Sequence, residues 1–555
     1  MRLTIINRWG MTISLILLWL AGCAGPPAAE QLVSPTAVPP TWPPPPTPEI
    51  RQTPTAAPPP TATPVPAHPI GAAPHTPAEL ITAGQQMAQD QPSQFVWTAE
   101  ATTQLVLNGP IHQAEWLWVV AAPFATIADE ISWTELQAGW QAGSGPLGHL
   151  LLDESTAANL ATLLGEPGAG TQIVPKEERG SRLWTQRPSW TILPFHELQP
   201  ELKLLALDGH SPLRHDFEPS HYPLRLRWGW TGEAADAAQL QAAWTGPTTN
   251  YQPDKLARVA MTGVTALTRA VAYQMELRGV TAPGAAVQPV FAAADIAHIS
   301  HEVAFAPDCP YPNPIGDTTF CARDRYLELL TFIGANLIEL TGNHVNDWGA
   351  HNLSHTIDLY ETAGMGYFGG GRHIEDARQP ALFEHNGNRI AFIGCNPVGP
   401  AFAWATADRA GSRPCDYDTL FAQMATLQAE GYQIIATLQY WEFYHYAPTI
   451  QQKADFRRLV EAGATAVSGS QAHHAQSFDF HQGAFIHHGL GNLFFDQMDM
   501  LGTRQAFIDT YVFYDNRLLN IELWTGLIEN YCCPREMTAA ERAQLLQTVF
   551  QASGW

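Results

Sequence analysis

The chain has 555 residues, enough for two or three domains plus a tail, and its 45% apolar content permits large cores. Only 15% of residues are charged, and 29 basic against 52 acidic side chains give a formal net charge of −23. That balance excludes a general nucleic-acid surface, which needs clustered Lys and Arg. In chain order, Arg2 and Arg8 precede the apolar run Met11 to Ala21, too short to span a bilayer comfortably but suited to a signal peptide. Residues 24–75 are rich in Pro, Thr and Ala and cannot bury a core, so an extended tether is expected there.

Residues 76–250 alternate strand-like runs (Gln104 to Leu107, Trp116 to Ala122) with helical patterns (Trp133 to Trp140, Ser155 to Leu164), which predicts a smaller α/β domain. Its tryptophans (Trp97, Trp116, Trp118, Trp133, Trp140, Trp184, Trp190) are expected mainly in the core, with sugar stacking as the alternative. Residues 251–530 read as a layered α/β domain with function at strand ends. Strands are expected at Leu256 to Gly263, Pro289 to Asp295, Leu337 to Leu340, Arg389 to Gly394, Gln433 to Leu438 and Thr465 to Ser468. Helices are expected at Val264 to Met275, Asp324 to Ile333, Asn352 to Gly364, Tyr417 to Glu430 and Ile450 to Ala462. The run Arg504 to Trp524 predicts antiparallel strands. Thr538 and Glu541 form a capping box that opens a closing helix within 531–555.

The strand Leu337 to Leu340 ends abruptly in Gly342-Asn343-His344, which sets an amide and an imidazole where ligands collect in open α/β sheets. No cysteine pair has the CxxC spacing of a zinc knuckle. In an exported protein Cys309–Cys321 and Cys395–Cys415 would be disulfides, and in a cytosolic one free thiols.

Three resemblances sharpen this reading. Leu20-Ala21-Gly22-Cys23 resembles the lipobox of bacterial lipoproteins, which implies cleavage before Cys23, its lipidation, and a membrane partner through that lipid anchor. The body would then sit outside the cytoplasm, on the outer face of the cytoplasmic membrane. The order of patterns in 76–250, including Trp190 to Phe195 and Lys203 to Asp208, resembles a periplasmic solute-binding module.

The motifs from 256 to 530 resemble the CapA family of poly-γ-glutamate capsule synthesis proteins, with a calcineurin-like metallophosphoesterase fold. The residues that carry the resemblance are Ala294-Asp295 with Glu302, Leu340-Thr-Gly-Asn-His344 with Asp347, and Ala363 to Gly369. Tyr444 to Gln452, Glu461 to Ala464, Gly469-Ser-Gln-Ala-His473 and Gly489-Leu-Gly-Asn-Leu-Phe-Phe-Asp496 follow. The resemblance implies an envelope polymer or glycan as partner, and Glu302, Asn343, His344 and His473 as candidate ligands of one divalent metal (Mn²⁺, Fe²⁺ or Zn²⁺), or a site with none. His344, His473 and Glu442 are the candidate catalytic groups; Asn492, Gln439, Gln471 and Asp347 are the candidate substrate-binding groups. His474 is a further candidate member, whereas His445, His481, His487 and His488 read as packing or surface residues. The chain departs from the family at Val264, Ser300, Gln439 and Gln471, where an aliphatic group, a hydroxyl and two amides replace usual family residues, a metal-binding carboxylate and imidazoles among them. Amides bind transition metals less well, so these departures argue against a two-metal centre and for acid/base work by Glu302, Glu442, His344 and His473, or for binding alone.

Overall fold

The first domain begins earlier than the tether expectation allows. A computed structural model describes residues 66–232, 234–316 and 318–555; the expected signal peptide, Cys23 and residues 24–65 lie outside them. Strand β1 (His68–Ala72) falls inside the stretch read as tether. It pairs in parallel with β2 (Phe95–Trp97) and β3 (Thr103–Leu107). The sheet continues through β4 (Ile111–Pro123), β5 (Gly148–Leu152), β6 (Ser189–Pro194), β7 (Leu202–Leu207) and β8 (Arg225–Trp230) in the order β2-β1-β3-β8-β4-β6-β5, with β7 also on β4. Helix α1 (Ala78–Asp90) follows β1, and α2 (Trp133–Ala142) starts at a reciprocal Ser132/Glu135 capping box. Trp116, Trp118, Trp140 and Trp190 are each at most 1% exposed, so they serve the core rather than a sugar face.

The second domain has two sheets. The first joins β9 (Leu256–Thr262), β10 (Ile296–His301), β11 (Leu337–Glu339) and β12 (Gly366–Phe368) in parallel. The second runs β13 (Ala381–His385), β14 (Asn388–Cys395), β15 (Gln433–Gln439), β16 (Ala466–Ser470), β17 (Phe478–His481) and β18 (Ala484–His487), in the order β13-β14-β15-β16-β18-β17. The chain then returns to the first sheet as β19 (Gln505–Tyr514), β20 (Arg517–Glu529) and β21 (Cys533–Glu536), with β19 antiparallel to β9.

Runs such as Ile434-Ile435-Ala436-Thr437-Leu438 are buried on both faces, as parallel strands covered on two sides must be. One face meets the other sheet: Val259, Ile296 and Leu337 pack with Phe392, Ile435 and Phe485. Helices α3 (Arg269–Arg278), α4 (Leu327–Ile333) and α5 (Ala350–Thr362) cover the outside of the first sheet. Helices α6 (Tyr417–Ala429) and α7 (Ile450–Glu461) cover the outside of the second. The result is the expected layered α/β domain behind a smaller α/β domain. Helix α8 (Ala539–Ala552) closes the chain behind the Thr538/Glu541 capping box. Among the described residues no helix is long and apolar enough to cross a membrane.

Two elements differ from expectation. The strand expected at Pro289 to Asp295 is a short helix, Gln288–Ala292, with Pro289 in its first turn, where its missing N–H costs nothing. The strand begins only at Ile296. The helix expected from Val264 starts instead at Arg269. Val264–Thr265 are drawn into the sheet, where Val264 N donates to Gly491 O and Thr265 O accepts from Glu302 N.

The two domains meet along β19 and β20. Arg517 donates through Nη1 to Leu198 O at 2.7 Å and through Nη2 to His196 O; Asn520 Nδ2 donates to Leu202 O at 2.6 Å. Phe124, just past β4, is buried in the second domain's aromatic cluster of Phe478, Phe480, Phe485, Phe550 and Trp555.

Cys309–Cys321 and Cys395–Cys415 are disulfides, and Cys532 is bonded to Cys533. Thiol titration of the denatured, unreduced protein is therefore expected to find no reactive group among these residues. Labelling of any of them in a peptide map would contradict the pairing.

Candidate functional site

The site is built at the carboxyl ends of β10, β11, β15 and β16. Gly342 is required there by proximity rather than by a turn: a Cβ would stand 2.6 Å from the Glu302 Cα and 2.5 Å from its Cβ. This close approach brings the Asn343-His344 segment beside Glu302, and Val303 bridges to His344. Glu302 is 1% exposed, and its Oε1 has no hydrogen-bond partner.

The amide of Gln439, fully buried at the end of β15, ties the site together. Its Nε2 donates to Asn343 Oδ1 at 3.2 Å, to Glu302 Oε2 at 3.4 Å, and to Gln471 Oε1. Gln471 Nε2 in turn reaches Glu442 Oε1 at 3.5 Å. Gln471 and His473 both adopt left-handed backbone, at φ +75° and +52°. Non-glycine residues hold that conformation only where surrounding contacts over-determine it.

Each imidazole is oriented from behind. Asn492 Nδ2 donates to His473 O, Thr503 O and Gln497 Oε1, so its Oδ1 is left to accept from His473 Nδ1 at 2.7 Å. His473 Nε2 then lies 3.8 Å from Glu442 Oε1. His344 Nδ1 donates to Asp347 Oδ2 at 2.7 Å, and the same oxygen accepts from Phe320 N at 2.9 Å. Burial disfavours the charged His344 ring most. The Asp347 hydrogen bond and the charges of Glu302, Asp347 and Glu442 together outweigh it and raise the pKa.

The cleft thus contains Glu302, Asn343, His344, Gln439, Gln471, Glu442 and His473. Asn492 and Asp347, expected to bind substrate, lie behind the imidazoles and position them. His474 turns away: its Nδ1 donates to Ala475 O and its ring packs on Tyr446. His487 is buried with Asp509, and His488 with Ser477 O. Asp295 sits at the opposite end of β10, held by His215, His385 and Arg258 N.

Sequence reasoning missed an aromatic and cationic wall. Phe320 lies 4.2 Å from His344 and Phe495 4.7 Å from His473, centroid to centroid. The Arg269 guanidinium covers both rings, at 4.7 and 5.1 Å, and pairs with Asp496. Asp496 closes a stretch already singled out as a motif, but nothing local in the sequence marks Arg269 as its partner.

Residues 258–497 match the profile of the family described as "Bacterial capsule synthesis protein PGA_cap". That match covers less than half of the chain. The capsule biosynthesis protein CapA of Bacillus anthracis is 28% identical over 180 residues, 32% of this chain and 44% of that protein. The PGA biosynthesis protein CapA of Bacillus subtilis is 24% identical over 310 residues, 55% of this chain and 78% of its own length. The chain therefore spans less than half of the first relative and about four-fifths of the second. A solved putative 5'-nucleotidase from Staphylococcus aureus reaches a TM-score of 0.34 at 9% identity, over 54% of this chain and 59% of that one, too low to carry a conclusion.

The CapA resemblance implies Glu302, Asn343, His344 and His473 as candidate ligands of one divalent metal, or a site with none. The residues present do not fit one. An N–H donor, Gln439 Nε2, occupies the point on which the oxygens of Glu302, Asn343 and Gln471 converge. Among the described residues no group of three or more His, Cys, Asp or Glu is arranged to hold an ion.

The raised His344 pKa gives a signed prediction. Stabilisation from the charged ring is fully present below the unfolded value near 6.5 and is lost as pH rises through the higher folded value. An NMR titration of the His344 ring is expected to show a midpoint above the ordinary range, lowered by Asp347→Asn. An unchanged midpoint in that variant would refute the role given to Asp347.

Proposed function

We propose that this chain is an extracytoplasmic accessory protein of capsule or envelope polymer synthesis, lipid-anchored through Cys23 to the outer face of the cytoplasmic membrane. The convergence of Glu302, Asn343, His344 and His473 at the strand ends of the capsule synthesis domain carries this reading. A protonated His344 would give its proton to the leaving group of an amide or phosphate ester in the polymer, while His473 Nε2, with Glu442 beside it, would take the proton of an attacking water, so that one bond forms as the other breaks. The degenerate, amide-filled former metal site belongs to this proposal. A second reading, polymer binding without chemistry, is favoured by Gln439, whose amide already occupies the middle of the cleft.

Deleting the gene in the organism of origin and quantifying cell-associated polymer tests both readings. Loss of polymer, restored by the wild-type gene but not by Cys23→Ala, is expected. His344→Ala separates the two readings, because it abolishes complementation only if the site does chemistry. Unchanged polymer in the deletion strain would overturn the proposal.

A further inference from the structure

Beside the cleft, between the N-terminus of α3 and the loop closed by Cys309–Cys321, lies a cavity of about 220 Å³. Thr268, Arg269, Tyr311, Asn313, Arg323 and Trp348 line it. Four features point to a ligand. First, Thr268, the N-cap of a 10-residue helix, is only 8% exposed, yet its hydroxyl makes no capping bond. Second, Arg269 spends Nε and Nη2 on Asp496, which leaves Nη1 without a partner. Third, among the described residues the lining Arg323 shares its carboxylate partner, Glu276, with Arg325. Fourth, Tyr311, 59% exposed, and the ring of Trp348 supply aromatic surface beside those donors.

Aromatic faces beside hydroxyl and amide groups suit the C–H face and hydroxyls of a sugar ring, and a guanidinium suits its carboxylate. We propose that this cavity is a subsite for one acidic sugar unit, a uronate, of an extended glycan. Arg269 links the subsite to the cleft, because the rings it covers, Phe320 and Phe495, are those that carry His344 and His473. Only the claim that subsite and cleft hold one polymer rests on the proposed function. The subsite itself stands on its own geometry.

Calorimetric titration of the full chain with trigalacturonate, maltotriose, triglutamate and inorganic phosphate tests the assignment. Trigalacturonate is expected to bind at least about tenfold more tightly than maltotriose, and Arg323→Gln or Thr268→Val to weaken it by about tenfold, as loss of a charge-assisted hydrogen bond or a buried partner does. Circular dichroism of both variants checks that they fold, and two unfolded variants would be replaced by Tyr311→Ala, expected to weaken binding comparably. Preference for triglutamate, equal binding of phosphate, binding untouched by the variants, or no binding at all would each overturn the uronate subsite. Uronate binding in a chain whose deletion leaves polymer unchanged would sink the proposed function and leave the subsite standing.

Discussion

Phe124→Ala is expected to destabilise the protein by about 3–5 kcal/mol, the usual cost of deleting a buried aromatic ring. The ring is 1% exposed and lies 5.4 Å from Phe478 and Phe485, 5.5 Å from Phe480, 6.0 Å from Trp555 and 6.2 Å from Phe550. It comes from the first domain, whereas all its ring partners belong to the second. The variant should therefore loosen the junction as well as lower overall stability. Limited proteolysis near residue 250, together with the urea midpoint, reads both effects. A midpoint shift below about 1 kcal/mol, typical of a surface change, would mean that the ring is not what joins the domains.

Gln439→Leu is expected to cost about 1–3 kcal/mol, the range for leaving a buried polar group without its hydrogen bond. Glu302 is almost fully buried, and among the described residues its carboxylate accepts one hydrogen bond, from Gln439 Nε2. Leucine fills similar space but offers no donor. Adding Glu302→Gln to that variant should recover most of the loss, since a neutral amide is much cheaper to bury. Simple additivity of the two changes would show that Gln439 does not hold the carboxylate. Because the same amide stands among the candidate metal ligands, the cycle also tests why the cleft does not fit a metal.

Much of the second domain could be read from the sequence. Runs such as Ile434 to Leu438 declare buried strands through β-branched composition, and Tyr417–Ala429 and Ile450–Glu461 show helical period with Asp416 and Thr449 as caps. Asn343 and His344 were legible because they follow such a run directly. The rest was hidden for physical reasons. His68-Pro-Ile-Gly-Ala72 has neither alternation nor a β-branched run, and only its pairing with β2 and β3 makes it a strand. Arg269 and Asp496 stand 227 positions apart, so the wall behind the imidazoles exists only after folding. The left-handed backbone at Gln471 and His473 carries no glycine to announce it. Asn492 and Asp347 have side chains suited to touching a ligand, and only burial reveals that they orient imidazoles instead.

The junction made by Phe124, Arg517 and Asn520 has a mechanical consequence. A receptor that traps a solute swings two lobes about a hinge. Here the first domain is bolted to the second by a buried ring and by side-chain bonds from the β19–β20 hairpin to three of its backbone carbonyls. Those contacts would have to break before it could act as a moving jaw. It is a pedestal that turns with the cleft as one body, so any pull arriving at β1 reorients the cleft without opening it.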